Sequence, residues 1–398
     1  MSHTAGDEAS GSSKLFLLSL FASNVVSGVP IIISGLLLID IGESFGYPVG
    51  ITGQISTAYS AISIIFALAL GVLSTRYAPR TLLTAGLLLN IVSAIGSYLS
   101  TSFPMLILSY SLTGISSSIV FPMTATIIGE RLHSERRSSA LGWATAGNPF
   151  AVLFGSPTVS YIAGQYGWRS TFLFFLLPVS LIGLVLVYRG IPQSRTHSAS
   201  KPRGASEGYR RLFSNRSAVA CLVGAMFVSM NLSNVLTYGV SSFRERFQIS
   251  AGIASLTFSA MAVTAFSGNI IGGKMINKLG RKRILSTAPF LLGILTMSMF
   301  NVGTFWLSVV ISIILWLFGS SSFLTGNSLS LEQEPEFRGT MMSVNSAARG
   351  VGSMLGTMIG GLVLLQHGYS ALGYMAGVFG IMAVLTYHFF SEDPTRNK

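Results

Sequence analysis

Residues 189–216 read RGIPQSRTHSASKPRGASEGYRRLFSNR, and this stretch divides the chain. It holds Arg189, Arg195, Lys201, Arg203, Arg210, Arg211 and Arg216 against the single acid Glu207. Its Ser, Gly and Pro content reads as a flexible, solvated linker. Long apolar runs lie on either side. Of 398 residues, 50% are hydrophobic and only 10% charged, against about a quarter charged in a soluble domain. So few charges cannot cover a water-facing surface, and the expected solvent is a bilayer.

A bilayer core of about 30 Å takes about 20 apolar residues per helix. Such runs fall at 15–38, 50–73, 81–101, 104–128, 139–163 and 170–189. After the linker they fall at 217–241, 251–275, 284–303, 305–331, 339–365 and 370–390. The expected fold is therefore an all-α membrane protein of twelve transmembrane helices. A cytosolic tail (1–14) leads into a six-helix bundle (15–189), the basic linker (190–216), a second six-helix bundle (217–390) and a cytosolic tail (391–398). No basic segment precedes a short apolar core at the start, so a cleaved signal peptide is not expected.

Orientation follows from the basic residues. With both termini cytosolic, the outer loops hold only Arg169, Arg244 and Arg246, and Arg349 lies within a run. The rest of the 25 Lys and Arg face the inside. This one-sided bias accounts for the net charge of +12 and removes a nucleic-acid partner from consideration. The expected partners are the lipid bilayer, a small-molecule substrate and, where transport is coupled, an ion such as a proton. The location expected is the plasma membrane, and the state a monomer.

The two halves repeat each other at a shift of about 200 residues. Gly71-Val-Leu-Ser-Thr-Arg76-Tyr-Ala-Pro-Arg80 aligns with Gly273-Lys-Met-Ile-Asn-Lys278-Leu-Gly-Arg-Lys282. Arg137 aligns with Arg338, Gly155 with Gly356, and Gly167-Trp168 with Gly368-Tyr369. Parallel six-helix repeats imply two pseudo-symmetric bundles with a site near the midplane.

With these motifs the chain resembles the major facilitator superfamily, from about Lys14 to Phe390. That family carries G-x-x-x-D-R-x-G-R-R between helices 2 and 3. Here Gly71, Thr75, Arg76, Ala78, Pro79 and Arg80 occupy those places, and Gly273, Asn277, Lys278, Gly280, Arg281 and Lys282 form the second, closer copy. In the family the Asp meets a helix N-terminus and latches one state. Thr75 and Asn277 stand in its place, can still accept from helix-terminal N–H groups, and bring no charge, so the resemblance implies a weaker latch. The basic residues of both copies also serve as topology markers.

Gly142, Gly147-Asn148-Pro149, Gly155, Pro157, Gly164 and Gly167-Trp168-Arg169 resemble helix 5 and its outer turn in the branch of sugar-efflux and drug:proton antiporters. Small residues at this spacing admit close helix packing, with Gly142, Gly147, Pro149 and Gly155 as the packing motif. The match is partial, because Asn148 separates Gly from Pro. The antiporters also carry an Arg on helix 4 where this chain has Tyr110, which counts against proton–drug exchange.

All 13 acids lie in tails, in the linker or at the two faces; none is mid-membrane. Arg349 is. It lies eleven residues beyond Arg338, roughly 16 Å along a helix. Placing it there costs at least about 2.5–3.5 kcal/mol, so it needs carbonyls, water or an anion. Its repeat-mate is Asn148. The resemblance implies that helices 1, 4, 7 and 10 line a cavity and that 2, 5, 8 and 11 flank the seam. The expected substrate-binding set is Arg349, Asn148, Asn345, Asn24, Gln54, Tyr59, Asn231, Asn234, Tyr238 and Asn327. Each polar residue can equally glue helices together.

Enzyme chemistry is excluded by inspection. The chain has one Cys, no His-rich cluster, no phosphate-binding loop and no embedded acid–base pair, and no cofactor is expected. The function expected is secondary transport of a small neutral or anionic organic solute by alternating access, with export favoured. The alternatives are an uncoupled facilitator of the same fold and a transporter-like sensor that binds without translocating.

Overall fold

The computed structural model describes residues 4–132, 134–192 and 205–394, and regular structure there is helical. The apolar runs become α1 (Thr4–Leu36), α2 (Gln54–Arg76), α3 (Pro79–Tyr98), α4 (Phe103–Arg131) and α5 (Gly147–Tyr166). Next come α6 (Trp168–Gly190), α7 (Arg216–Phe247), α8 (Ala251–Leu279), α9 (Arg281–Asn301) and α10 (Phe305–Gln333). One further helix, Arg338–Phe390, is broken by non-helical Gly368. Its parts, 338–367 and 369–390, are α11 and α12.

Among the described residues ten helices are long and apolar enough to cross a membrane, against the twelve expected. Two local causes account for the difference. The Gly368 turn is tight enough that α11 and α12 run on as one element. The run at 139–163 is split into Ser134–Thr145 and α5, because Pro149 has no N–H to donate to Thr145. Ala146 keeps helical dihedrals and its neighbours' hydrogen bonds continue, so the run bends rather than ends. Asn148, Pro149, Ser156, Pro157, Thr158 and Gln165 also dilute the apolar character of α5. A similar defect shapes α6, where a π-helical turn at Phe172–Leu176 precedes Pro178 and absorbs its missing donor.

The chain forms two compact units. The first comprises Met1–Leu37 and Ala61–Ala199; the second comprises Leu38–Ser60 and Ser200–Lys398. Residues 38–60 thus group with the C-terminal helices, unlike the halves expected at 15–189 and 217–390. The linker holds a second surprise. Residues 193–204 lie outside the described part, but Ala205–Ser214 is a helix rather than an irregular tether. Leu212 is fully buried, and Arg211 donates to Glu336 at 2.8 Å with its guanidinium over Phe337. The helix leads into Asn215, whose side chain caps α7 by accepting from the N–H groups of Ser217 and Ala218.

Within each unit the same pair of helices packs through small residues. In the first, Gly28 of α1 meets Asn148 and Ala151 of α5, while Gly155 faces Ile32 and Phe175. In the second, Gly352 and Gly356 of α11 lie on the backbone of α7 at Met226 and Met230. The turns that open α6 and α12 match as well. Gly167 and Gly368 hold φ of 82° and 73°, a backbone that side chains rarely adopt. Close backbone approach of this kind drives association where burial from water cannot.

Candidate functional site

In the second unit α10 and α11 are joined by two polar rungs. The guanidinium of Arg349 donates through Nη2 to the carbonyl of Phe323 at 3.3 Å and lies 4.2 Å from the centre of the Phe323 ring. One turn away, Asn345 Nδ2 donates to Asn327 Oδ1 at 2.8 Å, and Asn345 Oδ1 accepts from Ser330 at 3.5 Å. Asn345 with Arg349, and Phe323 with Asn327, are each four residues apart and so share helix faces. Sequence spacing therefore brings Arg349, Asn345 and Asn327 together.

Arg349 is 8% exposed, and its Nε and Nη1 have no hydrogen-bond partner. No carboxylate among the described residues pairs with it. The carbonyl and the ring offset part of its burial, since a desolvated cation over an aromatic face gains about 2 kcal/mol. Two sets of N–H donors stay open, each costing about 1–3 kcal/mol unpaired.

The other expected residues of this unit lie elsewhere. Asn231 donates to the carbonyl of Ala376 at 2.7 Å and accepts from Thr296, joining α7 to α9 and α12. Asn234 donates back to Met230, and its oxygen faces Gly360 of α11. Tyr238 donates to the carbonyl of Thr357 at 2.9 Å, eight residues or about 12 Å along α11 from Arg349. Gln54 joins it there, donating to Met358 at 3.4 Å, and Thr57 pairs with Thr357 at 3.0 Å. Tyr59 is half-buried on α2. Near the same end, Asp40 receives two bonds from Arg244, at 2.5 and 3.1 Å. Asp40, one of the acids placed at a membrane face, is thus paired.

In the first unit Asn24 donates to Leu20 and to Thr124 Oγ1 at 3.2 Å, joining α1 to α4. Tyr110, standing where the antiporters carry Arg, is buried and donates to the carbonyl of Pro30 at 2.5 Å. That carbonyl belongs to the proline inside α1. Asn148 is half-buried in α5, next to Gly28.

The loop motifs also divide by unit. Arg80 donates to the carbonyl of Tyr188 at 2.7 Å and stacks on its ring. Arg281 donates to Ser328 at 2.8 Å and pairs with Asp393 at 3.6 Å and Glu332 at 3.9 Å. Gly280 has φ of 77°, whereas its counterpart Ala78 is extended before Pro79. Arg76 and Lys278 are exposed, and Lys282 is half-buried. The side chains of Thr75 and Asn277, and the surroundings of Gly71, lie outside the described part; a Cβ on Gly273 would lie 3.8 Å from the Leu324 side chain. In the helix 5 motif, Gly147 lies on the α1 backbone at Phe21, Pro149 is half-buried and Gly142 is exposed.

Comparison with known proteins fits this architecture. The model of the Major Facilitator Superfamily matches residues 15–244 and again 222–398. The chain belongs to that superfamily. Curated relatives within it include a probable sugar efflux transporter of Helicobacter acinonychis (strain Sheeba), 26% identical over 95% of this chain and 94% of the relative. Another is a probable sugar efflux transporter of Pasteurella multocida (strain Pm70), 23% identical over 94% and 90%. Among solved structures, a D-xylose-proton symporter superposes with a TM-score of 0.79 at 17% identity, covering 96% of this chain and 99% of that one. This superfamily member is thus a multi-pass secondary transporter, not an enzyme.

Tyr387 is the residue that sequence reasoning passed over. It lies on α12, 1% exposed, with its hydroxyl beside Gly326 and Arg349. In sequence it heads the run Tyr387-His388-Phe389-Phe390, which reads as an interfacial aromatic belt. The signal that could have found it is its place in the final apolar run, opposite an intramembrane Arg in the run before.

Proposed function

We propose that this transporter exports a small neutral or anionic organic solute across the cell membrane, with both termini cytosolic. The observation that carries the solute class is Arg349, a buried cation with open N–H donors in a chain whose acids all lie away from the midplane. A cationic solute would meet repulsion there and no carboxylate. The direction is supported by the relatives named as probable sugar efflux transporters. Binding of solute near Arg349, Asn345 and Asn327 of the second unit is the reading. The absence of an embedded acid in the sequence favours an uncoupled facilitator as second reading.

Transport into inverted membrane vesicles tests this. Labelled sugars and sugar acids are offered to wild type, Arg349→Ala and Arg349→Lys. The expected result is a loss of at least about tenfold in both variants at unchanged protein level. Unchanged transport in both would remove Arg349 from the solute path.

A further inference from the structure

The open donors of Arg349 do not stand alone. The hydroxyl of Tyr387 is buried and without a hydrogen-bond partner. A methyl carbon placed on Gly326 would come within 3.0 Å of Tyr387 Oη and 3.0 Å of Arg349 Nη2. The phenol oxygen and the guanidinium therefore both come up against Gly326, so close that a methyl group there would crowd them. The Tyr387 ring lies against Gly224 of α7, so α7, α10, α11 and α12 all meet there. Asn345 and Asn327 are bonded to each other, with Ser330 on the Asn345 oxygen, and they fix the next turn.

The donor set selects its ligand. It offers N–H groups on a fixed cation plus one O–H, and no anionic acceptor is paired with it. A sugar hydroxyl brings no charge to match. Chloride brings charge at a single centre. A carboxylate brings charge together with two oxygens and about four lone-pair sites, which suits planar N–H donors and a phenol together.

We propose that Arg349 and Tyr387, flanking Gly326, form a seat for the carboxylate of an organic acid, so that the solute is a sugar acid or hydroxy acid rather than a neutral sugar. The proposal rests on the reading of Arg349 as a solute contact. Tyr387 supplies the neutral donor, and the bare Gly326 keeps a methyl group from crowding the two donors.

The test is thermal unfolding of the purified full chain in detergent. The probes are sodium gluconate, sodium lactate, sodium chloride at equal concentration, and glucose. Gluconate and glucose share a carbon chain and differ at the carboxylate. Gluconate or lactate is expected to raise the wild-type Tm by about 3 °C or more at saturating concentration, while chloride and glucose leave it unmoved. Tyr387→Phe and Gly326→Ala should unfold near the wild-type temperature without probe and bind the carboxylate at least about tenfold more weakly.

Equal stabilisation by chloride or glucose overturns the carboxylate seat, as does no stabilisation by either acid. If Arg349→Lys loses the probe while Tyr387→Phe and Gly326→Ala keep wild-type affinity, the seat fails and Arg349 stands as a solute contact. If Arg349→Ala accumulates and transports like wild type, both readings fall.

Discussion

The two six-helix repeats have the same packing and different chemistry. α1 against α5 and α7 against α11 meet through small residues at matched registers, with Gly155 answering Gly356. The turns at Gly167 and Gly368 share a backbone that disfavours side chains. The polar residues differ. In the first unit Asn24 and Tyr110 find partners on neighbouring helices. In the second, Arg349 and Tyr387 keep open donors side by side. Gly155 and Gly356 are alike in the two copies, whereas one turn and more before them the matched positions hold Asn148 in one and Arg349 in the other, and there the chemistry of the transporter becomes one-sided.

The largest expected effect tests that asymmetry at its centre. Asn148→Ala, at the repeat-mate of Arg349, should lower transport by less than about fivefold, while Arg349→Ala lowers it by as much as about a hundredfold, since a charged partner is lost only in the second case. Vesicle uptake with matched protein levels measures both. Equal losses would mean that the halves contribute alike and that the open donors of Arg349 carry no special weight.

Next in size is a packing test. A Cβ on Gly356 would lie 2.6 Å from the carbonyl of Met230, which is backbone and cannot turn aside. At Gly155 the nearest atom is the tip of Ile32, at 2.7 Å, which can. Gly356→Ala should therefore cost about 3 kcal/mol or more, and Gly155→Ala about 1 kcal/mol. Thermal unfolding in detergent reads the difference. Similar losses would show that α7–α11 and α1–α5 are equally tolerant and that the α7 contact relaxes.

A smaller effect separates the loop motifs. Gly280 holds φ of 77° and ψ of 153°, a region nearly confined to glycine, so Gly280→Ala should cost about 1–3 kcal/mol. Ala78 is extended and followed by Pro79, so Ala78→Gly should cost less than about 1 kcal/mol. If the two substitutions shift the Tm equally, the second copy of the loop is not held by its glycine.

Much of this was legible in one dimension, for a physical reason. Run length is a consequence of the bilayer, and it marks helices without knowledge of neighbours. Proline likewise announces the bend at Pro149, because it always lacks a donor. What stayed hidden depends on partners distant in sequence. Asn231 has the look of a cavity residue until Thr296 and Ala376 close on it. The linker's Gly204, Gly208 and Ser residues argue against a helix, yet buried Leu212 docks one there. Tyr387 reads as an aromatic belt residue until α10 brings Gly326 and Arg349 beside it.

The finest expected effect concerns residues 38–60, the N-terminal segment that packs with the C-terminal helices. Asp40 and Arg244 keep 30% and 15% of their side chains exposed, so screening limits their pair to about 1 kcal/mol. The weaker contacts of Gln54 with Met358 and Thr57 with Thr357 lie in the same region. If the pair holds this segment against α11, Asp40→Asn should free it more often, by about fivefold for 1 kcal/mol. The readout is labelling of Thr357→Cys by a membrane-impermeant maleimide, in a Cys221→Ala background that removes the one native thiol. Thr357 is 1% exposed, so its thiol reacts only when the segment lifts away. The Thr57 contact is lost in every such variant, so only the ratio between backgrounds counts. Arg244→Ala should match Asp40→Asn, and the exchange of Asp40→Arg with Arg244→Asp should restore slow labelling. Equal rates in all four would mean that packing at Gly50 and Gly361, where a side chain on either would strike the other's carbonyl, holds the segment without help from the charge pair.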